Sequence, residues 1–262
     1  MEKKYVLSKE AYKLIDICSD RGCSVLSLDD DTHSSSYYSG LTVYRVIYTK
    51  EIVDDNGKIL AMPGDIGGFV QSETNLSQEG NCVVLDNAVV FDKAVVRDNA
   101  IVSGRAMVFC DAEVSGKAKV LEMAIVYDDA QVLDNAIVAG QSTIREEASI
   151  FNWGKVDSFA EISGKAFVCG KAEVSGFANV TGKACVSGNA RVLGLAKIYD
   201  NALIDSKAIV TGSAKVYGDA RVTNDAKVCS RAMIGGKAVV ADKKVIENNE
   251  ILRGFDFEIK TK

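Results

Sequence analysis

One histidine is available in this chain as a candidate general base. His33 lies in a polar stretch, residues 27–40, that reads Ser-Leu-Asp-Asp-Asp-Thr-His-Ser-Ser-Ser-Tyr-Tyr-Ser-Gly. An imidazole titrates near neutral pH, so His33 has the chemistry to activate an acceptor hydroxyl or amine. A single histidine in a polar loop is more often just solvated. His33 is thus the only candidate for a general base, but we do not predict that it is catalytic.

The cysteines nearest to His33 give a poor metal-binding pattern. Cys18 and Cys23 are separated by four residues, and this stretch contains no fourth Cys or His. Structural zinc takes four ligands, so no metal site is predicted. The run Asp29–Asp31 has the oxygen ligands that calcium prefers, but an acidic run in a polar loop is more simply interpreted as solvated.

Beyond residue 87 one short repeat dominates the chain. A six-residue unit of the form Ala-x-Val-x-Gly/Asp-x runs without insertion from Ala88 to Val240, twenty-six times. Its first position is Ala in twenty-four units, and its third is Val or Ile in every unit. Hexapeptide repeats indicate a parallel β-helix, in which each unit forms a short strand followed by a corner.

Alternation along each strand assigns the positions of the unit. Positions one and three point inward, whereas positions two and four point outward. The corner falls on positions five and six, and position five is Gly in twelve units, Asp in six and Asn in two. These residues tolerate positive φ or hydrogen-bond their own backbone in a tight turn. Corner geometry is therefore sufficient to explain the Asp and Asn residues at position five, and we do not interpret them as a row of metal ligands.

Large outward residues recur every eighteen residues, which predicts three units per coil and a triangular prism. Aromatic residues at position four share one register, with Phe151 alone outside it: Phe91, Phe109, Tyr127, Tyr199 and Tyr217. Large apolar residues at position six share a second register, with Trp153 outside it: Met123, Phe159, Phe177 and Leu195. At about 4.8 Å between stacked strands, nearly nine coils give a prism on the order of 40 Å long.

Composition limits the class of protein. The net charge is −5, of which residues 1–75 carry −4, so the repeat region is nearly neutral and lacks the basic stripe of a nucleic-acid binder. Seven cysteines without disulfide-like spacing indicate a reducing, cytoplasmic setting. No signal peptide or apolar run of eighteen residues is present, so a soluble protein without a membrane span is expected.

The segment before the repeat has mixed secondary-structure signals. Ser8 to Asp20 has the apolar spacing of a short helix. Leu41 to Tyr48 is β-branched and aromatic, which predicts a strand. Asp55-Asn56-Gly57 predicts a hairpin turn, with a second strand around Ile59 to Met62.

The ends of a solenoid expose a hydrophobic cross-section and unpaired strand edges, which must be covered. We therefore predict an all-β chain in three parts: a small α+β cap at 1–75, a parallel β-helix solenoid at 76–243 and a C-terminal cap or tail at 244–262.

Several short motifs resemble one known family. Tyr44-Arg45-Val46, Gly64-Asp65-Ile66-Gly67-Gly68-Phe69-Val70, Ser72-Glu73 and Asn75-Leu76-Ser77-Gln78-Glu79-Gly80-Asn81 are similar to the start of YdcK-type hexapeptide-repeat proteins of bacteria and their phages. The resemblance covers residues 41 to about 243 and implies a left-handed coil. Members are usually named acetyltransferases, which implies acetyl-CoA as a cofactor, and left-handed β-helix proteins commonly form side-by-side trimers.

Three functions remain open from the sequence. A hexapeptide-repeat acyltransferase generally uses a histidine base and loops that leave the coil, and this repeat contains neither. A non-catalytic rigid scaffold or protein-binding module is therefore favoured, without a cofactor and self-associating as a homotrimer. The alternatives are a coenzyme-A-dependent acyltransferase, with a cleft between neighbouring prisms, and a phage-encoded inhibitor of a host protein.

The predicted contact surface is an apolar strip on one face of the first three coils. Its members occupy outward positions two and four of neighbouring strands: Val89, Phe91, Met107, Phe109, Ile125 and Tyr127. An exposed strip of this size marks a contact site, so a subunit or partner interface is expected there. Covering by residues 1–75 or by the C-terminal tail is the alternative.

Overall fold

The computed structural model describes residues 3–15 and 40–254. This part of the chain is all-β with almost no helix, and it winds into a parallel β-solenoid of about ten turns. A 3-10 helix at Glu73–Asn75 precedes the regular coils. The described residues contain no helix whose length and hydrophobicity would suffice to cross a bilayer.

Each repeat strand pairs in parallel with the strand eighteen residues further along, as in Val89 with Met107 and Met107 with Ile125. This register produces three sheets, which we call faces I, II and III in the order in which the chain visits them after residue 88. The predicted three units per coil are therefore confirmed.

The strands of each face are short and evenly spaced. Face I contains Val89–Val90, Met107–Val108, Ile125–Val126, Thr143–Ile144, Glu161–Ile162, Asn179–Val180, Lys197–Ile198, Lys215–Val216, Met233–Gly236 and Ile251–Gly254. Face II contains Val95–Val96, Glu113–Val114, Gln131–Val132, Ser149–Ile150, Phe167–Val168, Cys185–Val186, Leu203–Ile204, Arg221–Val222 and Val239–Val240. Face III contains Val83–Val84, Ile101–Val102, Lys119–Val120, Ile137–Val138, Lys155–Val156, Glu173–Val174, Arg191–Val192, Ile209–Val210, Lys227–Val228 and Val245–Ile246.

The core of the solenoid consists of the Ala and Val/Ile rows, as the alternation predicts. Residues at positions one and three are buried along the whole repeat. Each buried Val or Ile contributes about 1.5–3 kcal/mol relative to exposure. The two exceptions in the Ala row also fit: Ser142 donates to the carbonyl of Ala139 at 2.7 Å, and a Cβ on Gly154 would lie 2.6 Å from the carbonyl oxygen of Val168.

The corners have the left-handed conformation that position five predicts. Asp86 and Asp98 have φ of 57° and 61°. Their carboxylates accept the backbone N–H of Gly104 and Gly116, eighteen residues later, at 2.9 and 3.0 Å. The acidic corner residues therefore connect successive coils, which confirms their interpretation as corner residues.

Five strands precede the regular coils: β1 Tyr5–Lys13, β2 Thr42–Tyr48, β3 Ile52–Val53, β4 Ile59–Ala61 and β5 Ile66–Val70. Strands β1, β2 and β5 are antiparallel, and β5 pairs in parallel with Val89–Val90, so they extend face I. Strands β3 and β4 form the predicted hairpin.

The predicted helix at Ser8–Asp20 is wrong over Ser8–Lys13, which belong to β1. Leu14 and Ile15 are helical, and residues 16–20 lie outside the described part. The physical reason is the free edge of β2. Backbone pairing to an open edge overrides a weak helical pattern. Strand β1 pairs antiparallel with β2, with a bulge between Leu7 and Ala11.

Polar side chains from β1 and β2 satisfy the backbone of the first coil. The hydroxyl of Tyr5 donates to the carbonyl of Leu76 at 2.6 Å. The hydroxyl of Tyr48 donates to the carbonyl of Val84 at 3.0 Å and accepts its N–H at 3.0 Å. The buried Lys4 ammonium donates to the carbonyl of Cys82 at 3.0 Å. Backbone groups that the coil itself leaves unpaired are thereby capped.

Candidate binding surfaces

The sequence candidates for catalysis and metal binding lie outside the described residues. This applies to His33, Cys18, Cys23 and Asp29–Asp31. Within residues 3–15 and 40–254, no group of three or more His, Cys, Asp or Glu side chains is placed to hold a metal ion.

The thiol of Cys169, on face II, is poorly suited to nucleophilic chemistry. Burial, with a contribution from the neighbouring Cys185, raises the pKa of the Cys169 thiol to about 11. The thiolate is the reactive form, so Cys169 is almost entirely the unreactive thiol at neutral pH.

The apolar strip predicted as an exposed interface is buried within a single chain. Val89, Phe91, Met107 and Phe109 are fully buried, and Tyr127 is 3% exposed. Ile125 is partly buried against the same cluster. The prediction that the strip is exposed is therefore wrong, because these side chains leave no surface for a second subunit.

Residues that precede the repeat supply part of the cover over this strip. Leu14, Val43 and Phe69 belong to the same buried cluster. The rings of the strip stack face to face: Phe91 on Phe109 with centroids 4.9 Å apart, and Phe109 on Tyr127 with centroids 5.0 Å apart. The alternative of intramolecular covering is the one that the structure supports.

The second apolar register is exposed and forms a ridge along one edge of the prism. We define the corner ridge as Phe159, Phe177 and Leu195, which lie at the corner between faces III and I in three successive coils. Their exposed fractions are 48%, 61% and 55%. The two phenylalanine rings stack with centroids 4.7 Å apart and an interplanar angle of 4°. Met123, in the same register, is only partly exposed.

Charged and polar side chains of face I border the corner ridge. Glu161, Asn179 and Lys197 occupy position two in the same three coils. Glu161 is held in place by its neighbours: Arg145 donates to Oε1 from Nε and Nη2 at 2.9 and 2.7 Å, and Asn179 donates to Oε2 at 3.1 Å. The border therefore has a carboxylate paired with Arg145 at one end and the ammonium of Lys197 at the other.

A separate cleft lies between the β3–β4 hairpin and face III. Its volume is about 300 Å³, and it is lined by Asp54, Asp55, Asn56, Leu60, Asn81, Asn99, Ile101, Lys117, Lys119, Asn135, Ile137 and Trp153. The cleft is not among the sites predicted from the sequence. One pattern in the sequence could have indicated it. At the corner between faces II and III, polar residues and one tryptophan recur every eighteen residues: Asn81, Asn99, Lys117, Asn135 and Trp153.

Ion pairs and turn hydrogen bonds shape the hairpin side of the cleft. The ammonium of Lys117 lies 3.0 Å from Oδ2 of Asp55. The backbone N–H groups of Lys58 and Asn56, together with nearby lysines, hold the pKa of the Asp54 carboxyl below its usual value. The Asp54 carboxylate is therefore ionised at neutral pH, and Lys119 lies near it on the solenoid side.

A scan against protein-family models finds no family that matches this chain, and no curated protein sequence matches it significantly. The parallel β-solenoid is shown by the structure, whereas the YdcK-type resemblance and the left-handed coil stay predictions. The described residues present two surfaces suited to contacts with other molecules: the corner ridge and the cleft beside the β3–β4 hairpin, which we call the hairpin cleft.

Proposed function

We propose that this chain is a non-catalytic, rigid scaffold that associates with a second copy of itself through the corner ridge. The observation that carries the proposal is the exposed stack of Phe159 on Phe177, continued by Leu195 in the next coil. Large apolar side chains that are exposed side by side mark contact sites. The solenoid backbone holds them in line, so little conformational entropy is lost when they are buried.

The charges beside the ridge favour an antiparallel, two-fold arrangement. In a two-fold contact the same patch is used by both copies. With the axis at Phe177, the order of coils is reversed in the second copy, so Phe159 meets Leu195. Glu161 then meets Lys197 of the second copy, which adds a second cation to the Arg145–Glu161 pair and places opposite charges across the contact.

A parallel arrangement, which the trimer implied by the family resemblance would need, is less favourable at this edge. Each coil would meet the equivalent coil of its neighbour, with face I of one copy beside face III of the other. Glu161 would then approach Asp157 of the other copy. Each carboxylate is paired within its own chain, Glu161 with Arg145 and Asp157 with Lys155, so this arrangement lacks the opposite-charge contact across the interface that the antiparallel one has. We therefore replace the expected homotrimer by a homodimer in this proposal.

The dimer is tested by sedimentation velocity over a range of protein concentrations. An edge-to-edge contact is small, so we expect a dissociation constant in the roughly micromolar range. Phe177→Glu should give a monomer at every concentration, because it places two carboxylates at the axis. The matched control is Phe167→Glu, which changes an exposed phenylalanine on face II and should leave the dimer intact. A trimer, or dissociation by both variants alike, would contradict the proposal.

The non-catalytic part of the proposal has a separate test. We expect calorimetric titration with acetyl-CoA to show no binding tighter than about 1 mM, which corresponds to about −4 kcal/mol. The reason is that the single histidine lies before the repeat and the repeat has no insertion to form a substrate loop. Micromolar binding together with acyl transfer that His33→Ala abolishes would show an acyltransferase instead.

A further inference from the structure

We propose that the hairpin cleft binds a neutral carbohydrate, with one face of a sugar ring stacked on Trp153. The site is independent of the corner ridge, because it lies at the corner between faces II and III, whereas the ridge lies at the corner between faces III and I. Three features of the cleft carry the proposal: an exposed indole next to an apolar floor, a row of side-chain amides, and a balance of charges.

The apolar part of the cleft suits the C–H face of a sugar. Ile101 and Ile137 of face III form its floor, and Leu60 of β4 contributes from the hairpin. Trp153 lies at one end, with 58% of its surface exposed. A tryptophan that is not covered by its own chain offers a flat ring on which a pyranose can stack, and ligand sites combine such surfaces with a few polar groups that fix orientation.

The polar part of the cleft suits hydroxyl groups. Asn99 and Asn135 lie one above the other, two coils apart, and Asn56 faces them from the hairpin. A side-chain amide both donates and accepts hydrogen bonds, which matches the paired donor and acceptor character of neighbouring sugar hydroxyls. The Asn99 amide already accepts the N–H of Asn81 at 3.1 Å and donates to Oδ1 of Asp55 at 3.5 Å. The side chain of Asn135 makes no hydrogen bond to any residue that the structure describes, so it is the Asn135 amide that is available to a ligand.

The balance of charge favours a neutral ligand over an anionic one. Asp54 and Asp55 on the hairpin face Lys117 and Lys119 on the solenoid, and Lys117 is already paired with Asp55 at 3.0 Å. A phosphate or carboxylate ligand would have to compete with these carboxylates for the lysines. A neutral saccharide leaves the ion pair in place and can hydrogen-bond to both partners.

The wider groove further along the same corner lacks these features. It is larger, at about 770 Å³, but it is lined by Ser206, Lys207, Asn224, Asp225, Asp242, Lys243 and Lys244. None of these provides an aromatic ring or an aliphatic floor. The smaller cleft is therefore the better candidate for a saccharide.

Trp153 is the only tryptophan of the chain, so its fluorescence reports on the cleft alone. The probes are glucose, galactose, mannose, N-acetylglucosamine, cellobiose, lactose and chitobiose, with glucose 6-phosphate and glucuronate as charged analogues. We expect a saturable change in the emission of Trp153 with at least one neutral sugar, with a dissociation constant of about 1 mM or tighter. The charged analogues should bind at least about tenfold more weakly.

Two variants separate the proposed site from non-specific effects. Asn135→Ala should weaken binding of the same sugar about tenfold or more while the tryptophan signal remains available. Asn189→Ala is the matched control, because Asn189 has the same corner position three coils away and does not line the cleft. The proposal is wrong if no neutral sugar of the panel changes the emission, if the charged analogues bind as tightly, or if the two variants behave alike.

Discussion

Ala172→Leu should lower the free energy of unfolding of the solenoid by about 3 kcal/mol or more. Ala172 is fully buried in the Ala row of the solenoid core. Extra methylene groups in a closely packed core force side chains from their rotamers and shift the backbone, at a typical cost of about 1–3 kcal/mol. We expect the upper end here, because parallel strands pair on both sides of this coil and limit relaxation.

Thermal unfolding followed by circular dichroism measures this effect. A loss of about 3 kcal/mol should lower Tm by roughly 6–12 °C for a chain of this size. Lys183→Ala is the control: Lys183 is exposed at a corner, and a surface change of this kind usually costs less than about 0.5 kcal/mol. Equal shifts for the two variants would show that the inward and outward positions are assigned incorrectly.

The solenoid is well predicted from the sequence because the residue preferences at each position of the repeat favour the same structure. Small residues at position one, β-branched residues at position three and turn residues at position five all favour the same strand and corner. The same preferences recur in each unit, so a departure at a single position, such as Ser142 in the Ala row, does not change the predicted fold. Sequences in which local preferences agree with the global fold specify that fold most clearly.

The residues before the repeat were harder to predict because their structure depends on contacts far along the chain. The spacing of apolar residues in Ser8–Lys13 favours a helix locally, but β2 provides an edge with which this segment pairs. The hairpin at Asp54–Lys58 was predicted from its turn residues, which act locally. Its position over face III depends on tertiary packing and could not be deduced from that turn.

The two predicted apolar registers differ in burial: the strip is buried and the corner ridge is exposed. The difference again depends on contacts that are distant in sequence. Phe109 and Phe177 both occupy outward positions and carry equal hydrophobic signals in the repeat. Only the first is reached by the N-terminal segment, whose Leu14 and Val43 belong to its cluster. A repeat pattern shows which side chains point out of the coil, but it does not show which of them another part of the chain covers.

Phe109→Glu tests the burial of the strip and should have the second large effect. Phe109 is fully buried between Phe91 and Tyr127. Removal of a buried phenylalanine side chain costs about 3–5 kcal/mol, and an unpaired carboxylate in its place adds a desolvation cost. We therefore expect a loss of at least about 4 kcal/mol of local stability, concentrated in β1, β2 and the first coils.

Hydrogen exchange followed by mass spectrometry resolves where that stability is lost. In a solenoid each coil contacts its neighbours only, so peptides from β1 and β2 should lose protection, whereas peptides beyond about Ala160 should keep it. Phe109→Leu is the matched control and should retain most of the protection. Because the strip is covered within one chain, Phe109→Glu should leave the mass in solution equal to that of the wild type. If Phe109→Glu instead dissociates an oligomer while β1 and β2 remain protected, the strip is a subunit contact. The strip would then be covered mainly by a second subunit and not by residues of its own chain.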